Sequence, residues 1–196
     1  MLKRALDIIC SFIGLIILTP FLILISIAIV STSGLPVFFI QKRVGKNNKD
    51  FGLFKFRTMK NGADKKGLLT VGGRDPRITT VGYYLRKYKL DELPQLLNVF
   101  FGTMSLVGPR PEVRKYVDLY NEEQKKVLVV KPGITDYASL EYFSENELLA
   151  KSTQPEETYI NQIMPAKLEL NKKYISYNNV LVDIKIIFKT LKKIVC

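Results

Sequence analysis

"DIICSFIGLIILTPFLILISIAIVSTSG", Asp7 to Gly34, decides what kind of protein this chain makes. From Ile8 to Val30 it carries no charge. It is too long for a signal-peptide core and has no convincing small-residue cleavage site. About 20 apolar residues cross a bilayer, so a plain spanning helix is one reading. Thr19-Pro20 lies near its middle, where proline removes a backbone hydrogen bond and kinks a helix. Basic residues flank both ends: Lys3 and Arg4 before it, then Lys42, Arg43, Lys46 and Lys49. The preference of such residues for the cytoplasmic side is met at both flanks by a helix that bends and returns. A straight span meets it at only one. Composition leaves both readings open.

Outward from this segment the character changes. The chain has 196 residues, enough for an anchor and one domain, and a formal charge of +12. Such a balance points to polyanionic partners: nucleic acid, anionic lipid or phosphorylated substrates. The two cysteines, Cys10 in the apolar run and Cys196 at the end, make no disulfide framework. The absence of histidine excludes His-activated nucleophiles and His-ligated metals. Acid–base or covalent chemistry therefore falls to carboxylates, Lys, Tyr, Ser or Thr.

"VFFIQKRVG" and "LFKFRTM", separated by turn-rich "KNNKDFG", read as a hairpin or two short extended pieces. Alternation places Phe54 and Phe56 on one face and Lys55 and Arg57 on the other. That cationic face suits an anion, although an ordinary half-buried strand looks the same. "NGADKKGLLTVGGRDPRIT" reads as a mobile surface loop near the active site. "TVGYYLRKYKLDELPQLLNVF" reads as two helical pieces broken near Lys89–Asp91.

Within the break, Asp91 is placed as a helix N-cap, with Pro94 in the first turn. That structural role accounts for Asp91 and much of Glu92. Their company suggests more. Arg86, Lys87 and Lys89 precede the pair, and "GPRP" holds Arg110 between two prolines, presenting a guanidinium suited to phosphate. An aspartate can attack phosphorus covalently. Mg²⁺ with Arg and Lys would relieve the repulsion between two anions.

These residues resemble the bacterial sugar transferase family, the monotopic phosphoglycosyl transferases. The likeness covers almost the whole chain. It rests on "KRALDII" with "LTP", "QKRVG", "FKFRTM", "DPRITTVGYYLRKYKLDELPQLLNVFFGTMSLVGPRP" and "KPGIT", in that order. It implies transfer of phospho-sugar from a UDP-sugar to undecaprenyl phosphate, with UMP leaving, as the first membrane step of polysaccharide or glycoconjugate synthesis. It implies Asp91 as nucleophile in a ping-pong scheme, and Glu92 as support for Asp91 or for Mg²⁺, with both acids near the metal. Arg86, Arg110, Lys55 and Arg57 would bind substrate phosphate. Thr19-Pro20 would break a re-entrant helix, and Lys3 and Arg4 would meet lipid headgroups. Membrane lipids and downstream glycosyltransferases are the implied partners, at the cytoplasmic face of a bacterial inner membrane.

The chain departs from many relatives after "KPGIT", where Asp136 and Tyr137 stand, which leaves the sugar open. "VLVDIKIIFKTLKKIVC" reads as a basic amphipathic helix on an anionic membrane, or as a core helix with a lysine face. The expected fold is therefore mainly α with a small β element. A re-entrant membrane helix would occupy residues 1–34 and a cytoplasmic catalytic domain residues 35–196. The alternative is a membrane-tethered basic protein that binds nucleic acid or serves as a scaffold, but no nucleic-acid motif supports it.

Overall fold

The structure, a computed structural model, describes residues 2–63, 69–72 and 75–195. The apolar stretch forms one helix, α1 (Leu2–Ser33), with Pro20 inside it. By length and composition it is long and apolar enough to cross a membrane. Pro20 offers no N–H to the preceding turn, and the Thr19 hydroxyl donates to Leu15 O at 2.6 Å. Both features bend helices, yet the helix continues unbroken through Thr19-Pro20. Gly34 ends it, donating to Val30 O at 2.9 Å. Its φ of +72° is the left-handed conformation that favours glycine after a helix.

Both ends of α1 are fastened to the rest of the chain. Near its start, Asp7 accepts from Ser105 Oγ at 3.0 Å and Leu106 N at 2.9 Å. Near its end, Ile25 and Ile29 pack with Phe56 and Leu85. Between and around these contacts, Ile9, Ile13, Ile17, Ile23, Leu24 and Ile27 are exposed.

The expected hairpin is present. β1 (Phe38–Val44) pairs antiparallel with β2 (Asp50–Phe56), with Phe38 opposite Phe56. Asn47 and Asn48 take positive φ in the turn, as asparagine readily does. Next comes α2 (Thr80–Lys87), capped by the Thr79 side chain, which accepts from Gly82 N at 3.0 Å. The chain breaks at Lys89, as the sequence suggests, and resumes through a 3₁₀ turn, Leu90–Glu92, into α3 (Gln95–Phe101).

β3 (Ser105–Val107) then pairs in parallel with β4 (Gly133–Thr135), a second small sheet. Between them lie α4 (Arg114–Val117) and α5 (Glu122–Lys125). The C-terminal third is helical: α6 (Tyr137–Glu141), α7 (Glu145–Ala150), α8 (Pro155–Thr158), α9 (Met164–Tyr177) and α10 (Val180–Val195). The largest core cluster joins Val44 of β1, Tyr116 and Val117 of α4, Leu149 of α7, and Met164 and Leu168 of α9. The architecture is mainly helical with a small β element.

α10 packs one face into the core, as the core-helix reading of its sequence expects, and leaves another exposed. Asp183 and Ile186 are buried, and Lys3 and Tyr174 both bond Asp183. Leu181, Ile184, Phe188 and Leu191 form an exposed apolar stripe at helical spacing, beside exposed Lys185, Lys189, Lys192 and Lys193.

Candidate active site

The two motifs "GPRP" and "KPGIT" meet because they contain glycine where the backbones touch. A Cβ on Gly133 would lie 2.1 Å from Gly108 N, so only glycine permits the approach. Gly108 N donates to Thr135 O, and Gly133 N to Pro109 O, both at 3.0 Å. Arg110 N donates to Asp136 Oδ2 at 3.0 Å, while Asp136 Oδ1 accepts from Ser139 N and caps α6. Fully buried Asp136 therefore fixes the arginine's backbone, a role that sequence reading did not assign to it.

The guanidinium of Arg110 grips Glu92 with both arms: Nη1 donates to Oε2 at 3.0 Å, and Nη2 to Oε1. Lys55, pointing from β2, donates to the same Oε1 at 3.1 Å. Burial would push the Glu92 carboxyl up, but Arg110 and Lys55 outweigh it and hold Glu92 well below the usual carboxylate range. Glu92 in turn keeps Arg110 charged. Burial pulls the Lys55 ammonium below its ordinary value, with Glu92 opposing.

Asp91 differs sharply from its neighbour. It lies inside the 3₁₀ turn, and the cap position of α3 belongs to Pro94, so the expected N-cap role is corrected: Asp91 caps nothing. The Leu93-Pro94 step inserts residues between the dyad and the helix. The residue is 6% exposed. Among the described residues no hydrogen bond or ion pair reaches its carboxylate. Burial pushes it above the ordinary carboxylate value, and Lys55 opposes that while Glu92 adds to it.

Asp91 and Glu92 line a cleft of about 710 Å³. One wall is polar and cationic, with Lys55, Arg86, Lys89 and Arg110. Another is apolar, with Leu93 and Leu96 beside Leu18 of α1 and Ile187, Leu191 and Ile194 of α10. Asn61, Gly62, Ala63, Leu69 and Thr70 lie on its rim; residues 64–68 and 73–74 of the expected loop fall outside the described residues.

The other candidate residues are placed as follows. Arg86 lines the cleft, and among the described residues its guanidinium makes no hydrogen bond or ion pair. Arg57 is also on the wall, but its guanidinium donates to Ser33 O at 2.9 Å, Leu35 O at 3.3 Å and Asn61 Oδ1 at 2.8 Å. It satisfies the orphan carbonyls at the end of α1. At the start of α1, Arg4 does the same for α3, donating to Val99 O at 2.6 Å and Phe100 O at 2.8 Å. Lys3 donates to Val107 O at 2.9 Å and pairs with Asp183.

Sequence reading missed the group behind Arg110. Arg43 donates to Pro111 O at 3.0 Å and to Glu112 Oε1 at 3.1 Å, and the Tyr159 hydroxyl donates to Glu112 Oε2. The acid directly after "GPRP" was the available signal.

For a metal, the donor set offers the Asp91 carboxylate, whereas both Glu92 oxygens are engaged. Among the described residues no group of three or more candidate ligands occurs.

The family model described as "Bacterial sugar transferase" matches residues 1–196. An Aeromonas hydrophila protein named UDP-N-acetylgalactosamine-undecaprenyl-phosphate N-acetylgalactosaminephosphotransferase is 35% identical over 98% of this chain and 43% of its own length. The UDP-glucose:undecaprenyl-phosphate glucose-1-phosphate transferase of Escherichia coli is 36% identical over 98% of this chain and 40% of its own. A Bacillus subtilis protein named uncharacterized sugar transferase EpsL is 40% identical, over 98% of this chain and 87% of its own. The chain thus spans less than half of the first and second of these relatives and most of the third. The match runs through every element that builds the cleft: the chain belongs to the bacterial sugar transferase family.

Proposed function

We propose that this chain transfers a phospho-sugar from a UDP-sugar to a polyprenyl phosphate, undecaprenyl phosphate in bacteria, and releases UMP. The observation that carries the reading is Asp91. Its residue is largely buried, its carboxylate has no hydrogen bond among the described residues, and it lines a cleft with a cationic wall and an apolar wall. The cationic wall suits a diphosphate, and the apolar wall suits an isoprenoid chain entering from α1 and α10.

In the proposed chemistry, one Asp91 oxygen attacks the β-phosphorus. The new Asp91–phosphorus bond forms as the bond to the bridging oxygen breaks, and that electron pair leaves on UMP. The acceptor phosphate then attacks the same phosphorus and frees the carboxylate. Raised ionisation energy makes Asp91 a basic, weakly solvated nucleophile, whereas Glu92, locked by Arg110 and Lys55, stays anionic and holds both cations beside it. Arg86 is free to meet substrate phosphate. Mg²⁺ would be held by Asp91 and substrate phosphate oxygens, supplying charge neutralisation. Glu92 would join only by releasing Arg110 or Lys55.

A monotopic seat on the cytoplasmic face of the inner membrane accompanies this reading. α1 is about 48 Å long at 1.5 Å per residue, against a hydrocarbon core of about 30 Å. Both its ends are bonded to one charged body, which favours a helix that enters the membrane and returns over one that crosses. The product, a lipid-linked sugar, is the kind of acceptor that downstream glycosyltransferases extend. The names of the relatives concern sugar transfer, and no observation favours the nucleic-acid alternative.

The test is UMP release from the purified full chain in detergent, given Mg²⁺, undecaprenyl phosphate and a panel of UDP-sugars. The expected result is release from at least one sugar nucleotide that depends on the acceptor for turnover. No release from any member of the panel would overturn the reading.

A further inference from the structure

A third wall of the cleft carries cations that are matched by acids. Lys167 of α9 donates to Oε2 of Glu145, the first residue of α7, at 2.7 Å. The two side chains are only 13% and 23% exposed, and both line the cleft. Leu149 anchors α7 in the main core, and Met164 and Leu168 anchor α9, so the pair spans two fixed elements. The Lys167 ammonium stands 5.5 Å from the centre of the Tyr159 ring, and the Tyr159 hydroxyl donates to Glu112. Through Pro111 this joins the pair to Arg110, the arginine that grips Glu92.

The two acids of this wall differ. Glu112 is saturated: Oε1 accepts from Arg43 Nη1 at 3.1 Å and Val113 N at 2.8 Å, and Oε2 from Tyr159. Glu145 is not. Among the described residues its Oε1 accepts no hydrogen bond, and Lys167 donates no second one. The side-chain amide of Asn146, the next residue, also lines the cleft and makes no hydrogen bond among the described residues. A free carboxylate oxygen, a free amide and spare ammonium protons therefore stand together in a wall whose ion pairs cancel in charge.

We propose that Glu145 and Asn146 contact the hexose of the UDP-sugar and select it by its hydroxyl pattern. The inference rests on the transferase reading above and deepens it. Phosphate is drawn to unbalanced positive charge, which this wall lacks. A hexose is neutral, and each of its hydroxyls both donates and accepts. Uracil presents a single N–H donor, a poorer match to a wall with a free carboxylate oxygen. A site that bonds one particular hydroxyl rejects the epimer that points it elsewhere, because the site's own polar groups are then left unpaired. The ion pair with Lys167 fixes which way the Glu145 carboxylate faces.

The experiment measures kcat/KM for UDP-glucose, UDP-galactose and their N-acetylamino counterparts, together with UMP binding, on the full chain in nanodiscs. Glu145→Gln keeps the shape and removes the charge, and Asn146→Ala removes the amide and leaves the ion pair alone. The expected result is that kcat/KM for the preferred sugar falls relative to the least preferred, by about tenfold in Glu145→Gln and about threefold in Asn146→Ala. UMP carries no hexose and should bind both variants as tightly as wild type. The proposal is overturned for either residue whose variant lowers kcat/KM evenly across the panel, which marks a structural role. It is overturned equally if UMP binding weakens in step, which would put uridine against this wall, or if wild type ranks no sugar above another. If Glu145→Gln melts too low to assay, Asn146→Ala decides by the same comparison. A wild type that turns over no UDP-sugar would defeat the transferase reading instead, and the ranking of UDP-sugar binding relative to UMP would then decide Glu145 and Asn146.

Discussion

Adjacent in sequence, Asp91 and Glu92 meet opposite electrostatic fates. Glu92 receives a bidentate arginine and a lysine, whereas the Asp91 carboxylate receives no hydrogen bond among the described residues. Burial raises Asp91 above the ordinary carboxyl value of 3.8, so the folded chain gives up this proton less readily than the unfolded chain. Above the folded value the ionised carboxylate subtracts from stability, and below 3.8 that penalty is gone. Asp91→Asn should therefore raise Tm by a few degrees at neutral pH, with a gain that shrinks as the pH falls to the ordinary carboxyl value, while turnover is lost. Thermal unfolding of both proteins across that range checks it. A lower Tm for the asparagine variant at neutral pH would show that the carboxylate is a structural group after all.

Elements that lie far apart in sequence are brought to the dyad by their ends. α1 is clasped at Asp7 by β3 and at Ser33 by Arg57. The basic residues expected at headgroups, Lys3 and Arg4, are half-exposed and also serve the fold, Arg4 at the last carbonyls of α3 and Lys3 at the buried Asp183. If α1 enters and leaves by one face, exposed Leu2 and Leu35 at its two ends lie on the same side. Single cysteines at these positions, in a background with Cys10 and Cys196 changed to serine, should both resist an impermeant thiol reagent on intact cells. Both should react after the cells are opened. Labelling of one position alone on intact cells would establish a crossing helix.

Across the whole molecule, the local signals were legible and the joints were not. The hairpin was readable from β-branched and aromatic runs around "KNN", and the break at Lys89 from the charge cluster that interrupts helical spacing. The pairing of β3 with β4 was hidden, because strands of three residues have no periodicity and their contact depends on Gly108 and Gly133 meeting across the fold. The company of Asp91, Glu92 and Arg110 was visible in sequence, but not its division of labour: Arg110 engages Glu92, and the buried Asp136 holds the Arg110 backbone in place. Arg57 looked like a phosphate ligand because strand alternation puts it beside Lys55. Only the fold reveals that the end of α1 arrives there.

The account turns on Asp91 as the atom donor to phosphorus, and intact-protein mass spectrometry tests this most directly. The full chain is incubated with a reactive UDP-sugar and no acceptor, quenched, and digested to locate any added mass. The account predicts a sugar-phosphate adduct on the peptide containing Asp91, lost when undecaprenyl phosphate is supplied and absent from Asp91→Asn. An adduct that persists in Asp91→Asn, or turnover by that variant at the wild-type rate, would contradict it.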